Sequence, residues 1–180
     1  MRHKYAMYID ARSCLHCDAC QVACKAENNV PVGSGRNWVR EKARGIYPRV
    51  SVQMEPGQCM QCTNAPCVRV CPTGASYIDA HGIVQVNADD CIGCRYCMEA
   101  CPYDARYFHE ESGTVDKCNF CVHRVSQGME PACVVTCPTK VRVFGDLLDP
   151  RSELTEILST HRTEFRKEEA GTSPNIYYES

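Results

Sequence analysis

Sixteen of the 180 residues are cysteine, and they fall into four groups of four. Cys14, Cys17, Cys20 and Cys24 form the first, and Cys59, Cys62, Cys67 and Cys71 the second. Cys91, Cys94, Cys97 and Cys101 form the third, and Cys118, Cys121, Cys133 and Cys137 the fourth. In CIGCRYCMEACP, from Cys91 to Pro102, three cysteines recur at every third residue, a fourth follows, and a proline comes straight after it. Three thiolates on one short loop can take three irons of a 4Fe–4S cube, while the fourth reaches to another cube. The chemistry is one-electron transfer.

Other uses of cysteine fit less well. Structural zinc prefers two separated CxxC knuckles closing one tetrahedron; the first and third groups instead crowd three cysteines into seven residues. Disulfides need paired Cα atoms about 4.4–6.8 Å apart with matched side-chain directions, and four clustered runs give no reason for that pattern. The second and fourth groups have a longer gap between second and third cysteines, which still lets the third reach a corner. No group has lost a cysteine, so four full Cys₄ sites are expected, with no three-iron cluster and no thiol left for nucleophilic catalysis or for a radical site with an open iron. His16 and His123 are expected to tune a neighbouring cube by charge or hydrogen bond instead of replacing a thiolate. Tyr96, Tyr103 and Tyr107 are expected to pack around cubes, and Asp104 to be structural. No Ser/His/Asp set, phosphate loop or paired-carboxylate site is present in the sequence.

The elements between the groups must position them. Met1 to Asp10 alternates through Tyr5, Met7 and Ile9 and predicts a short edge strand. Residues 25–58, punctuated by Pro31, Gly33, Gly35 and Pro48, read as a loop-rich insert. That insert carries Arg36, Arg40, Lys42, Arg44 and Arg49 around Trp38, a basic face for solvent or for a partner. ASYIDAHGIVQV predicts a hairpin, with strands at 75–78 and 83–86. Beyond Gly145, Ser152 is a candidate N-cap for a helix whose apolar face is Leu154, Ile157, Leu158, His161 and Phe165. Gly171 and Pro174 break it, and 175–178 can lie extended, the whole tail acting as a packing strap.

The fold class expected is α+β: two nested ferredoxin-like 2×(4Fe–4S) modules with loop-rich inserts and a C-terminal helix and tail. The outer module takes residues 1–35 plus 110–145, the inner one 55–108, and the strap 146–180. Since the fourth cysteine of a run serves the other cube of its pair, nesting gives four ligand sets. They are Cys14, Cys17, Cys20 and Cys137; Cys24, Cys118, Cys121 and Cys133; Cys59, Cys62, Cys67 and Cys101; and Cys71, Cys91, Cys94 and Cys97.

Composition agrees with metal as part of the core. Phe and Trp number four and one, and in small metallo-domains the energy of binding is energy of folding. The formal charge of −2 becomes about −10 with four oxidised cubes, so the basic residues read as partial compensation. They form no block interleaved with aromatics, and nucleic-acid binding is not expected. No apolar run is long enough to span a bilayer. The N-terminus shows neither an apolar signal core nor a twin-arginine pair, so a soluble chain without an export signal of its own is expected.

Four stretches carry a family resemblance: IDARSCLHCDACQVACKAEN; QCMQCTNAPCVRVCPTGA, with Gln61 at a variable site; CIGCRYCMEACPYDARY; and CNFCVHR with PACVVTCPT and FGDLLDP. They cover nearly the whole chain. It resembles the four-cluster iron–sulfur subunit of the dimethyl-sulfoxide-reductase superfamily of molybdoenzymes, closest to the small subunits of polysulfide, thiosulfate and arsenate reductases. The short spacing from Cys101 to Cys118 matches the compact polysulfide-reductase type.

The resemblance implies a non-catalytic electron-transfer subunit for anaerobic respiration. Its partners would be a molybdopterin-containing catalytic subunit near the cube of Cys14, and a quinone-reactive integral-membrane subunit facing the cube of Cys91. It implies a position peripheral to the cytoplasmic membrane, on the outer face by co-export with the catalytic subunit, with the cytoplasmic face as the alternative. A cytoplasmic polyferredoxin-like subunit of a formate dehydrogenase or hydrogenase is the alternative.

Overall fold

The computed structural model describes residues 3–180, so Met1 and Arg2 of the expected first strand lie outside the described residues. In chain order the elements begin with strand β1 (Tyr5–Ile9), helix α1 (Ala19–Asn28), strands β2 (Asn37–Ile46) and β3 (Arg49–Gln58), and helix α2 (Pro66–Arg69). Next come β4 (Ser76–Ile78), β5 (Val84–Val86), α3 (Tyr96–Glu99), β6 (Arg106–His109) and β7 (Thr114–Lys117). The chain closes with α4 (Val122–Val125), α5 (Ala132–Val135), β8 (Arg142–Asp146), α6 (Glu153–Thr160), β9 (Thr163–Glu164) and β10 (Ile176–Glu179). The fold mixes helix and strand, and among the described residues no helix is long and apolar enough to cross a membrane.

Strand β1 is not an edge. It runs antiparallel to β8 and parallel to β10 in a sheet ordered β8-β1-β10-β9. Ala6 to Ile9 are all buried, Met7 and Ile9 on one side and Ala6 and Tyr8 on the other. A central strand covered on both faces needs apolar residues at every position, and AMYI supplies them. Alternation was the wrong pattern to read there. The C-terminal segment at 175–178 is accordingly more than a strap, because β10 supplies an inner strand.

The expected hairpin forms as β4 and β5, paired Ser76 to Val86 and Ile78 to Val84. A second hairpin, β6 with β7, joins the third cysteine group to the fourth. The insert at 25–58 is ordered: α1 runs to Asn28, and β2 and β3 form a ten-rung antiparallel ribbon from Asn37↔Gln58 to Ile46↔Arg49. Most of the ribbon is exposed. Its register sets Arg40, Lys42, Arg44 and Arg49 on one side and Val39, Val50, Val52 and Met54 on the other.

Helix α6 begins after Ser152, as expected, although that side chain makes no capping bond. It is shorter than the apolar periodicity suggested, because His161 is already extended. Leu154, fully buried, packs with Ile157 and Leu158 against Ala6 and Tyr8; burying such a side chain stabilises by about 1.5–3 kcal/mol. Phe165 lies beyond the helix and meets the ring of Tyr177 at 5.0 Å.

Carboxylates tie β1 to its neighbours. Asp146 accepts from the Lys4 and Leu148 amides at 2.8 and 2.9 Å and pairs with His3 at 2.7 Å. Burial pushes its pKa up, but those donors win and hold it below the ordinary carboxylate value. Glu179 is held low by the Tyr8 hydroxyl, then by His161 and Arg12. A depressed folded pKa contributes stability that is present above the unfolded value and lost as pH falls through the folded one. The melting-temperature gap between the native chain and Asp146→Asn is therefore expected to shrink as pH drops below about 4; an unchanging gap would show that the carboxylate charge contributes nothing.

Candidate iron–sulfur centres

Each cysteine loop turns by the same device. The residue before the second cysteine is left-handed in all four groups: His16 (φ 52°), Gln61 (48°), Gly93 (66°) and Phe120 (56°). Such residues reverse the chain so that successive amides face inward and can receive negative charge. A side chain there costs roughly 1–2 kcal/mol, which the other three groups tolerate. At Gly93 there is no such option, since a Cβ would stand 2.5 Å from the Gly113 carbonyl oxygen.

After the fourth cysteine the device recurs, with Gly74, Asp104 and Lys140 left-handed. It returns amides onto the sulfur: Ser76 N–H to Cys71 Sγ at 3.4 Å, and Val141 N–H to Cys137 Sγ at 3.3 Å. Amides of Ala105 and Tyr103 do the same for Cys101. Burial opposes charge on Cys71, but these donors hold its pKa below the ordinary thiol value.

The sulfurs gather across the groups. Cys24 lies among Cys118, Cys133 and Cys121, and these four line an open-sided recess of about 260 Å³. Cys14, Cys17, Cys20 and Cys137 line another of about 340 Å³. Cys62 lies among Cys59, Cys67 and Cys101. Cys97 neighbours Cys67 and Cys71; Cys91 and Cys94 share its loop, Cys91 partly buried and Cys94 exposed.

Burial, then neighbouring sulfurs, pushes Cys24 up strongly and pushes Cys62 and Cys133 up to about 12. Bare thiolates are disfavoured in such surroundings; bound iron is what would make them stable. The quartets stand around spaces and do not converge on a point. Among the described residues, no three His, Cys, Asp or Glu side chains are arranged to hold one metal ion.

Three cations are buried among these sulfurs, and the sequence reading missed them. Arg106 donates to Cys67 Sγ at 3.0 Å and to Ser76 Oγ at 2.7 Å, and lies beside Cys97. Arg142 donates to Gln58 Oε1 at 2.6 Å and lies beside Cys20 in the lining of one recess. Lys117 donates to the carbonyls of Val84 and Cys118. Arg106 Nη1 and Arg142 Nη2 are buried with no acceptor. A cluster's sulfides would supply acceptors and negative charge there, so the residues fit 4Fe–4S groups. The repeat held a signal, since Arg106 and Arg142 each stand five residues after the fourth cysteine of their group.

The remaining candidates are peripheral. His16 bonds Glu41 at 3.0 Å and His123 bonds Glu27 at 2.7 Å, both near the surface. Tyr103 is buried on Thr172, Tyr107 bonds Asp116, and Tyr96 is 62% exposed. Of the basic insert residues, Arg36 is drawn inward onto Asp116 by two bonds at 2.9 and 3.0 Å. Gln61 is fully buried and bridges the Val84 amide and the Cys118 carbonyl at 2.9 and 2.7 Å.

Residues 50–147 match the family described as the 4Fe–4S dicluster domain, which takes in the second, third and fourth cysteine groups. The protein belongs to that family. It is 44% identical to the B component of polysulfide reductase from Wolinella succinogenes, over 98% of its own length and 94% of the relative's. It is 44% identical to the B component of tetrathionate reductase from Salmonella typhimurium, over 98% and 72%. With the B component of selenate reductase from Mesobacillus selenatarsenatis the identity is 38%, over 97% and 71%. This member of the dicluster family is thus an iron–sulfur electron-transfer protein of the respiratory-reductase kind, non-catalytic by itself. Its cofactors are 4Fe–4S clusters, and sixteen cysteines fit four of them.

Proposed function

We propose that the four cubes form a wire joining a molybdopterin-containing catalytic subunit to a quinone-reactive integral-membrane subunit. In this reading the ligand sets are the nested ones. Cys14, Cys17, Cys20 and Cys137 pair with Cys24, Cys118, Cys121 and Cys133 in an outer module of residues 1–35 and 110–145. Cys59, Cys62, Cys67 and Cys101 pair with Cys71, Cys91, Cys94 and Cys97 in an inner module of 55–108.

One observation carries the reading: the sulfur quartets follow one another, and the most open cysteines belong to the two end sets. Cys17 and Cys94 are exposed, whereas the middle sets are largely buried. Beside each stands an exposed apolar residue, Leu15 at 68% and Ile92 at 66%. Apolar surface at both ends, next to the sulfurs an electron must enter or leave by, suits two docking partners. The relatives' names favour reduction of sulfur oxyanions, polysulfide or selenate by the assembly. Its site is peripheral to the cytoplasmic membrane, on the outer face by co-export with the catalytic subunit.

Purifying the native assembly and measuring iron, sulfide, molybdenum, tungsten and nickel with subunit masses tests this. About sixteen iron atoms per chain, four for each cube, and a large molybdenum partner are expected. Nickel in the partner, or a chain that purifies alone as a carrier, refutes the partner reading.

A further inference from the structure

Resting on the nested ligand sets above, each buried cation lies between two successive quartets. Arg106 donates to Cys67 Sγ of one inner set and lies beside Cys97 of the other. Arg142 lines the same recess as Cys20 of one outer set and lies beside Cys133 of the other. Both arginines therefore join the third cysteines of the two groups in a module. Lys117 stands where the modules meet, its ammonium on the Cys118 carbonyl and beside Cys59. Among the described residues, none of their hydrogen-bond partners is a carboxylate; these are sulfurs, carbonyls, an amide and a hydroxyl. Arg36, by contrast, lies beside Cys118 but is neutralised by Asp116.

We propose that Arg106, Lys117 and Arg142 are potential-setting residues, one at each of the three junctions between successive cubes. In each one-electron step a reduced cube is oxidised and the next is reduced, with the partner subunits as first donor and final acceptor. A positive charge at a junction favours the added electron on either side of it. It raises both potentials together and changes the step between them little. Desolvation makes this interaction strong, because little water screens it. It also explains why no carboxylate accompanies these cations: a local counter-charge would cancel the effect.

The test uses the purified assembly with Arg106→Gln, Lys117→Gln and Arg142→Gln, each assayed first for iron and then by redox titration followed by paramagnetic resonance. Each variant is expected to lower two of the four midpoints by a tenfold or greater fall in the reduction equilibrium, 59 mV per tenfold for one electron. The pairs overlap in a fixed pattern. Lys117→Gln shares one midpoint with Arg106→Gln and the other with Arg142→Gln, while the two arginine variants share none. Arg106→Lys, Lys117→Arg and Arg142→Lys keep the charge and are expected to keep the midpoints.

Full iron with unshifted midpoints, a shift confined to one cube, or an equal shift of all four overturns the proposal. Loss of a cube in both the glutamine and the charge-conserving variant marks a purely structural role and overturns it as well. A native assembly with fewer than four cubes per chain refutes the nested ligand sets instead, and that iron count is made before any variant is compared.

Discussion

Cys137→Ser is expected to damage the same cube as Cys14→Ser, although 123 positions separate the two residues. Cys137 shares its recess with Cys14, Cys17 and Cys20, while the cysteines preceding it in its own group gather with Cys24. The amide of Val141 and the left-handed turn at Lys140 hold Cys137 in that position. By the same geometry Cys24→Ser and Cys118→Ser form a second equivalent pair. Each variant is expected to lose one resonance signal and up to about four iron atoms, with signals matched within a pair and different between pairs. If each group instead filled its own cube, Cys14→Ser would match Cys24→Ser and differ from Cys137→Ser. The resonance spectra of the four variants separate these outcomes.

Stripping the iron with oxidant and chelator is expected to abolish cooperative folding. Lys117, Arg106 and Arg142 are buried without carboxylate partners. An uncompensated buried charge costs several kcal/mol, on the order of 3–5 for a broken pair. Three such costs approach or exceed the whole net stability of an ordinary domain, about 5–15 kcal/mol. The buried core also includes Cys59, Cys62, Cys67, Cys97, Cys118 and Cys133, whose packing around iron is lost as well. Arg106→Met, Lys117→Met and Arg142→Met combined are expected to reverse the order: less stable than the native chain with iron, more stable without it. Near-ultraviolet dichroism and melting curves of both forms check this. An iron-free native chain that melts cooperatively near the loaded temperature would remove the argument.

These expectations show what could be read from residues alone. Cysteine spacing is local and chemically specific, so the four loops were legible, as were the hairpin of β4 and β5 and the start of α6. The ribbon of β2 and β3 was not. It has no core-facing stripe along most of its length, and prolines and glycines at its flanks read as loop. The central place of β1 was hidden for another reason, since its partners come from 142–146 and 176–178. Arg106, Lys117 and Arg142 look like surface charges in sequence, and only burial among the sulfurs reveals them.

The pairing of β1 also bears on how the chain is made. This strand is made long before either of its neighbours, which come from 142–146 and 176–178. At about 5–20 residues per second, Ala6 to Ile9 wait many seconds on the ribosome with both edges unmatched. Residues 55–108 are complete well before then. With cubes filled by the nested sets, loading in the cell can start within residues 55–108, while the recess shared by Cys14 and Cys137 must wait until Cys137 has been made.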